Sequence, residues 1–233
     1  MMKEAMHWML LSGSVLDTVL LLRVLGLRLQ RIYAFITLDC VLSVLLDWVS
    51  AYLGWDSPES MRVFTFTRFL YALLTPLIAW DVFEEVKVEA AKTRRLEAMR
   101  MALSLLVIGG FSFVLLAPVI LGDASDATAE WPTALALYLW GGACLPSTIF
   151  IWRTRRAVRK QETAFPRNTT VWSLYYMLTL ASSVVYVGFA FSGWKLNQDI
   201  LNVVLTAWLM GCTVFCVVCL RGVPMEMASE RRD

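Results

Sequence analysis

The chain has 233 residues, 58% of them hydrophobic and only 17% charged, with a net charge of +2 and a mean hydropathy of +0.62. A water-soluble domain carries roughly 45–50% apolar and about 25% charged residues, so the apolar excess here must face lipid. That balance excludes disulfide-stapled secreted domains, disordered chains and soluble nucleic-acid binders.

A helix that crosses roughly 30 Å of hydrocarbon needs about 20 mostly apolar residues. Seven stretches qualify, at residues 8–27, 33–53, 63–82, 101–121, 131–152, 171–192 and 200–220. They predict an all-α, polytopic membrane protein with seven transmembrane helices in a single domain over residues 1–233. The first span contains Asp17 and Arg23 and has no small-residue cleavage site, so it is expected to stay as a helix and not to leave as a signal peptide. The second carries Asp39 and Asp47 and the third Arg68, whereas the fourth, MALSLLVIGGFSFVLLAPVIL, has no ionisable residue.

Lysine and arginine in short loops favour the cytoplasmic side. Seventeen of the 21 basic residues fall in the first, third and fifth loops and the C-terminal tail, which puts the N-terminus outside and the C-terminus in the cytoplasm. The expected location is a bacterial cytoplasmic (inner) membrane. Tryptophan supports the same spans, because Trp8, Trp55, Trp131 and Trp194 fall at outer ends and Trp80, Trp152 and Trp172 at inner ends. Asp81, Glu84 and Glu85 close the third span and are expected in the solvated headgroup layer. Beyond them the third loop lacks Gly and Pro and pairs Glu89 with Lys92, so the third helix should continue into the cytoplasm. The fifth loop, RTRRAVRKQETAFPR, holds Arg153, Arg155, Arg156, Arg159 and Lys160 as a cytoplasmic basic surface. Anionic lipid would attract it by about 1 kcal/mol per basic residue. A cytoplasmic or membrane protein partner with an acidic face is the alternative, and no nucleic acid is expected. After Pro166, Asn168 or Thr169 is expected to cap the sixth helix.

The single histidine, His7, leaves no basis for bis-histidine haem ligation, a histidine zinc site or a Ser-His-Asp triad. The seventh span, ILNVVLTAWLMGCTVFCVVCL, has no lysine for a retinal Schiff base, and no phosphate-binding or dinucleotide-binding glycine motif occurs. No cofactor, metal or catalytic residue is therefore expected, and an enzyme is disfavoured. Cys212, Cys216 and Cys219 share one helical stripe and read as packing residues. Gly109-Gly110 and Gly141-Gly142 read as points of close helix approach.

Ionisable side chains at membrane depth are costly and usually pair or line a functional path. Asp47 and Arg68 stand almost equally far from the turn between the second and third spans, and Asp17 enters from the same side. These three form the expected ligand or ion-pair cluster, open to the outer half, for an anion, a zwitterion or protons. Asp39 is a polar-relay candidate, within reach of Arg23 or Arg28 by snorkelling. Pro76, Pro118 and Pro146 interrupt the third, fourth and fifth spans, with Thr75, Ser147 and Thr148 as hydrogen-bonding neighbours. Tyr71 and Thr75 are expected to line a cavity, and Tyr175, Tyr176 and Tyr186 are further candidates.

The aromatic-rich FTFTRFLYALL, followed by WDVFEEV, resembles a pattern in uncharacterised seven-helix membrane proteins of soil bacteria over about a third of the chain. The resemblance implies the fold and no activity. Three functional expectations follow. The first is a ligand-sensing or accessory module acting through a cytoplasmic partner. The second is a small-solute or proton-coupled transporter using Asp17, Asp47 and Arg68; seven helices can divide three, one, three as in the small sugar transporters called SWEETs, but the chain has no internal repeat and lacks the Pro-Gln turn of that group. A lipid-modifying enzyme comes third.

Overall fold

The computed structural model describes residues 2–54, 57–86, 131–160, 167–191 and 198–222. All regular structure among them is helical: α1 (Met2–Gly26), a single 3-10 turn (Leu29–Arg31), α2 (Ala34–Leu53), α3 (Pro58–Val86), α4 (Trp131–Lys160), α5 (Arg167–Phe191) and α6 (Gln198–Cys219). All six α-helices are long and apolar enough to cross a membrane, which makes this an integral membrane protein. Helices α4, α5 and α6 correspond to the fifth, sixth and seventh sequence spans. The fourth span at residues 101–121 and nearly all of the third loop lie outside the described residues.

Two helices outrun their apolar stretches. The α4 helix continues to Lys160, so the basic run from Arg153 is helical and not a loop. Its sequence, RTRRAVRK, contains strong helix formers and no Gly or Pro to stop it. At the other boundary type, α2 ends where Gly54 adopts φ +82°, a left-handed conformation that glycine takes without steric penalty.

The helices form a closed ring in which each packs on its neighbours in chain order and α6 returns to α1. Their directions follow from named contacts. Thr65 and Thr133 share a 2.9 Å hydroxyl hydrogen bond, and eighteen residues farther along α3 the Phe83 ring meets Phe150 at 5.5 Å. Helices α3 and α4 are thus parallel neighbours. Below, "upper" denotes the end near Ser50, Phe64 and Trp140, and "lower" the end near Tyr33, Val82 and Ile151.

The lower half is a solid core. Leu20, Val24, Leu29, Ile36, Ile78, Val82, Ile151 and Leu220 are all buried there around the fully enclosed indole of Trp172. Trp172 stacks on Tyr176 at 6.0 Å and meets Tyr33 edge-on at 6.3 Å. Tyr33 in turn hydrogen-bonds Thr169 at 3.1 Å.

Polar side chains tie the helix ends together around this core. Asp81, expected among solvated headgroups, is instead buried. Its Oδ2 accepts the backbone N–H groups of Phe35 at 2.8 Å and Ile36 at 3.1 Å. The residue before α2, Tyr33, supplies no side-chain cap, so a carboxylate from α3 takes that role and also meets the positive end of the α2 dipole. Arg23 donates to the Leu220 carbonyl at 2.8 Å, closing α6. Asn168 and Thr169 lie within the first turn of α5 and do not cap it. Asn168 clamps the backbone of Arg221 in both directions, at 2.7 and 3.0 Å, because its amide offers a donor and an acceptor together. Replacing Asp81 by alanine is expected to cost about 1–3 kcal/mol, the price of two orphaned helix-start N–H groups. The exposed neighbour Glu84 should cost less than about 0.5 kcal/mol when changed to alanine. Thermal unfolding of both variants in detergent checks the difference.

Gly141 is a true point of close approach, whereas Gly142 is not. A Cβ added at Gly141 would lie 2.8 Å from Cγ1 of Val187 on α5, while one at Gly142 would meet nothing within 4 Å. Gly141→Ala is expected to destabilise by about 1–3 kcal/mol through overpacking. Gly142→Ala should be neutral or slightly stabilising, since alanine favours helix by up to about 1 kcal/mol. A melting comparison of the two single variants tests this.

Candidate ligand-binding cavity

In the upper half the centre of the ring is not filled by side chains, and a cavity of about 290 Å³ remains. All six helices contribute to its wall, among them Asp17 from α1, Asp39, Ser43 and Asp47 from α2, Phe64, Arg68, Tyr71 and Thr75 from α3, Trp140 from α4, Tyr176 from α5 and Thr213 from α6. Every acid and base assigned to membrane depth in the sequence therefore faces one space. Its floor is the packed layer around Trp172.

The acids pair with hydroxyls. Asp17 and Asp47 reach the same cavity from the neighbouring helices α1 and α2. Thr213 donates to Asp17 Oδ1 at 3.2 Å. Deeper in the wall, Tyr176 donates to Asp39 Oδ2 at 2.8 Å. Asp39 thus takes a tyrosine and not a snorkelling arginine, because Arg23 is held by α6. Ser43 and Tyr71 share a hydrogen bond of 2.9 Å. Near the mouth of α1, Trp48 donates to Thr18 at 3.0 Å.

Arg68 is arranged differently. The expected pairing with Asp47 is not made as a hydrogen bond. The guanidinium carbon instead lies 4.3 Å from the Phe64 ring centre, 4.0 Å from that of Trp140 and 5.7 Å from that of Tyr71. The α3 helix places Phe64 one turn before Arg68, and the parallel packing of α4 brings Trp140 to the same level. Nε of Arg68 is buried with no hydrogen-bond partner. Among the described residues no acceptor meets the rest of the fork. A desolvated cation held by aromatic rings keeps some favourable interaction, but its hydrogen-bonding capacity is left unused. Arg68 also borders a second cavity of about 130 Å³, lined by Ser182, Tyr186 and Asn202 among others.

Tyr71 and Thr75 line the larger cavity. Thr75 spends its hydroxyl on the Tyr71 carbonyl at 2.6 Å, and Thr148 uses its own on Cys144 at 2.8 Å. Ser147 is buried without a partner. The basic surface divides: Arg153 and Arg156 are exposed, with Arg156 lying 5.5 Å over the Trp152 ring. Arg155 turns inward and donates to the Thr170 carbonyl at 3.1 Å and to Ser173. Arg159 and Lys160 form the last turn of α4. On α6, Cys212 and Cys216 are buried and Cys219 is half-buried, all as free thiols.

Phe64, Trp140 and Thr213 are the site residues that sequence reading passed over, whereas Tyr175 and Tyr176, named as candidates, do line the cavity. Their signal is periodicity. Tyr176, Thr179 and Ser183 on α5, and Thr206 and Thr213 on α6, recur at helical spacing on the cavity wall. Compared with protein-family models, with curated proteins and with solved structures, the chain matches none.

Proposed function

We propose that the chain is a seven-span ligand-binding module of a bacterial cytoplasmic membrane, a sensor or accessory subunit that takes a small polar ligand into the upper cavity and reports its presence to a cytoplasmic partner. The observation that carries this reading is Arg68, a half-buried cation on the cavity wall whose enclosed Nε meets no acceptor among the described residues. An uncompensated charge at membrane depth is expensive enough that a ligand is the reasonable partner. The packed layer below supports binding over passage, and the polar ties at its edge give a route from cavity to lower end: Tyr176 touches both Asp39 and Trp172. At that end Arg153 and Arg156 offer positive charge to anionic lipid or to an acidic partner surface.

The parallel packing of α3 and α4 supports the seventh span. A chain that leaves α3 at the lower end and begins α4 at the upper end must recross the bundle between them, and residues 101–121 are apolar enough to do so. Reporter fusions should place the two termini on opposite sides of the membrane; termini on the same side overturn the seven-span arrangement.

A transporter is the second reading, favoured by the carboxyl groups of Asp17, Asp39 and Asp47 on one cavity wall, where acids at membrane depth suit proton coupling. Reconstitution separates the two. Liposomes carrying the purified chain should retain ligand without counterflow of an internal pool. Counterflow that is lost in Asp47→Asn, with melting unchanged, would replace the sensor by a transporter.

A further inference from the structure

The ligand class can be read from the two charged groups of the wall. The geometry points to a small zwitterion of the amino-acid type, whose carboxylate meets Arg68 and whose ammonium meets the Asp17–Asp47 pair; this rests on the reading of the upper cavity as a ligand site. Only the terminal nitrogens of Arg68 are left to the cavity, since Nε is enclosed, and two parallel donors match the two oxygens of a carboxylate. Phe64 and Trp140 fix the plane of that fork by lying over it at 4.3 and 4.0 Å. On another wall of the same cavity stand the carboxyl groups of Asp17 and Asp47, with Thr213 donating to Asp17 Oδ1 at 3.2 Å.

Charge balance selects among the candidates. Arg68 offers a cation to the cavity, and Asp17 and Asp47 offer carboxyl oxygens to it. A simple anion would answer Arg68 but leave the acids facing an added charge of their own sign, and a simple cation would do the reverse. A zwitterion meets both groups and brings no net charge to membrane depth, where each added charge is costly. Asp39, on the same wall, already accepts a hydrogen bond from Tyr176. The volume of about 290 Å³ lies near the lower limit for ligand sites and selects a small molecule. The second cavity, which meets the first at Arg68 and extends between α5 and α6 to Tyr186 and Asn202, gives room for a side chain.

The test uses the purified full chain in mild detergent and a panel of α-amino acids, each run beside its N-acetyl form, which lacks the ammonium, and its amide, which lacks the carboxylate. Ligand-induced stabilisation is the readout. At least one free amino acid should raise the melting temperature, while both of its derivatives bind at least about tenfold more weakly, the expected loss for one charged hydrogen-bonding group. Arg68→Gln should abolish the response and Arg68→Lys should retain it in weakened form, because lysine keeps the charge without the fork. An N-acetyl form that binds as well as its parent makes this an anion site, and an equally bound amide makes it a cation site. Either result overturns the zwitterion and leaves the ligand-cavity reading standing. No stabilisation by any of the three chemical forms overturns both.

Discussion

Arg68→Met is expected to raise the melting temperature of the ligand-free protein while destroying ligand binding. At the cavity wall the guanidinium is half-buried, and its Nε is enclosed with no acceptor among the described residues. Its compensation comes from the Phe64 and Trp140 rings, a contact of roughly 2 kcal/mol when shielded from water. The effective penalty for removing an ion from water is several kcal/mol, so the balance is unfavourable. Methionine keeps an apolar stem against the same rings and removes the charge. The net gain should be about 1–2 kcal/mol, or about 2–8 °C for a chain of this size. Binding of an anionic or zwitterionic ligand should fall by at least about tenfold in the same variant. Opposite signs for stability and binding mark a residue kept for function. A fall in both would mean that Arg68 holds the helices together.

Trp172→Ala is expected to be the most damaging single change to stability. The indole is fully enclosed at the centre of the lower layer and touches Tyr33, Tyr175 and Tyr176 at centroid distances of 6.3, 5.9 and 6.0 Å. Truncation of a buried tryptophan removes about 3–5 kcal/mol in water-soluble cores. In a bilayer the lower end of that range applies, because the unfolded reference already sits in an apolar medium and only the lost packing counts. About 3 kcal/mol is therefore expected. Trp172→Phe should cost less than about 1 kcal/mol, since Nε1 of Trp172 has no hydrogen-bond partner and phenylalanine removes that orphan with the extra ring. Detergent unfolding of the alanine and phenylalanine variants checks both values. The alanine variant should also weaken ligand binding, because Tyr176, which holds Asp39, stacks on this indole.

Much of the membrane architecture could be read from residue type and spacing alone. Apolar stretches of about 20 residues found all six described helices, and the charges of α1, α2 and α3 led to the cavity wall. Pairings were less legible. Asp47 and Arg68 stand at matching depth by residue count, yet depth says nothing about azimuth, and the Arg68 guanidinium lies against the Phe64 and Trp140 rings. Asp81 looked like a headgroup residue because span ends usually are. The unsatisfied N–H groups of Phe35 and Ile36, on a helix whose own start lacks a side-chain cap, draw it inward. Helix length was underestimated for α4 because hydropathy marks where lipid contact ends, whereas helix propensity decides where the helix ends. The aromatic shell of Arg68 depends on α3 and α4 being parallel neighbours, a long-range relation that no local pattern in the sequence carries.

Native mass spectrometry of the protein extracted from its own membrane in mild detergent tests the central claim most directly, with Arg68→Met measured alongside. A small molecule should remain bound to the unaltered chain and be missing from the variant. The same bound mass on both proteins, or no bound small molecule on either, would contradict a ligand site built on Arg68.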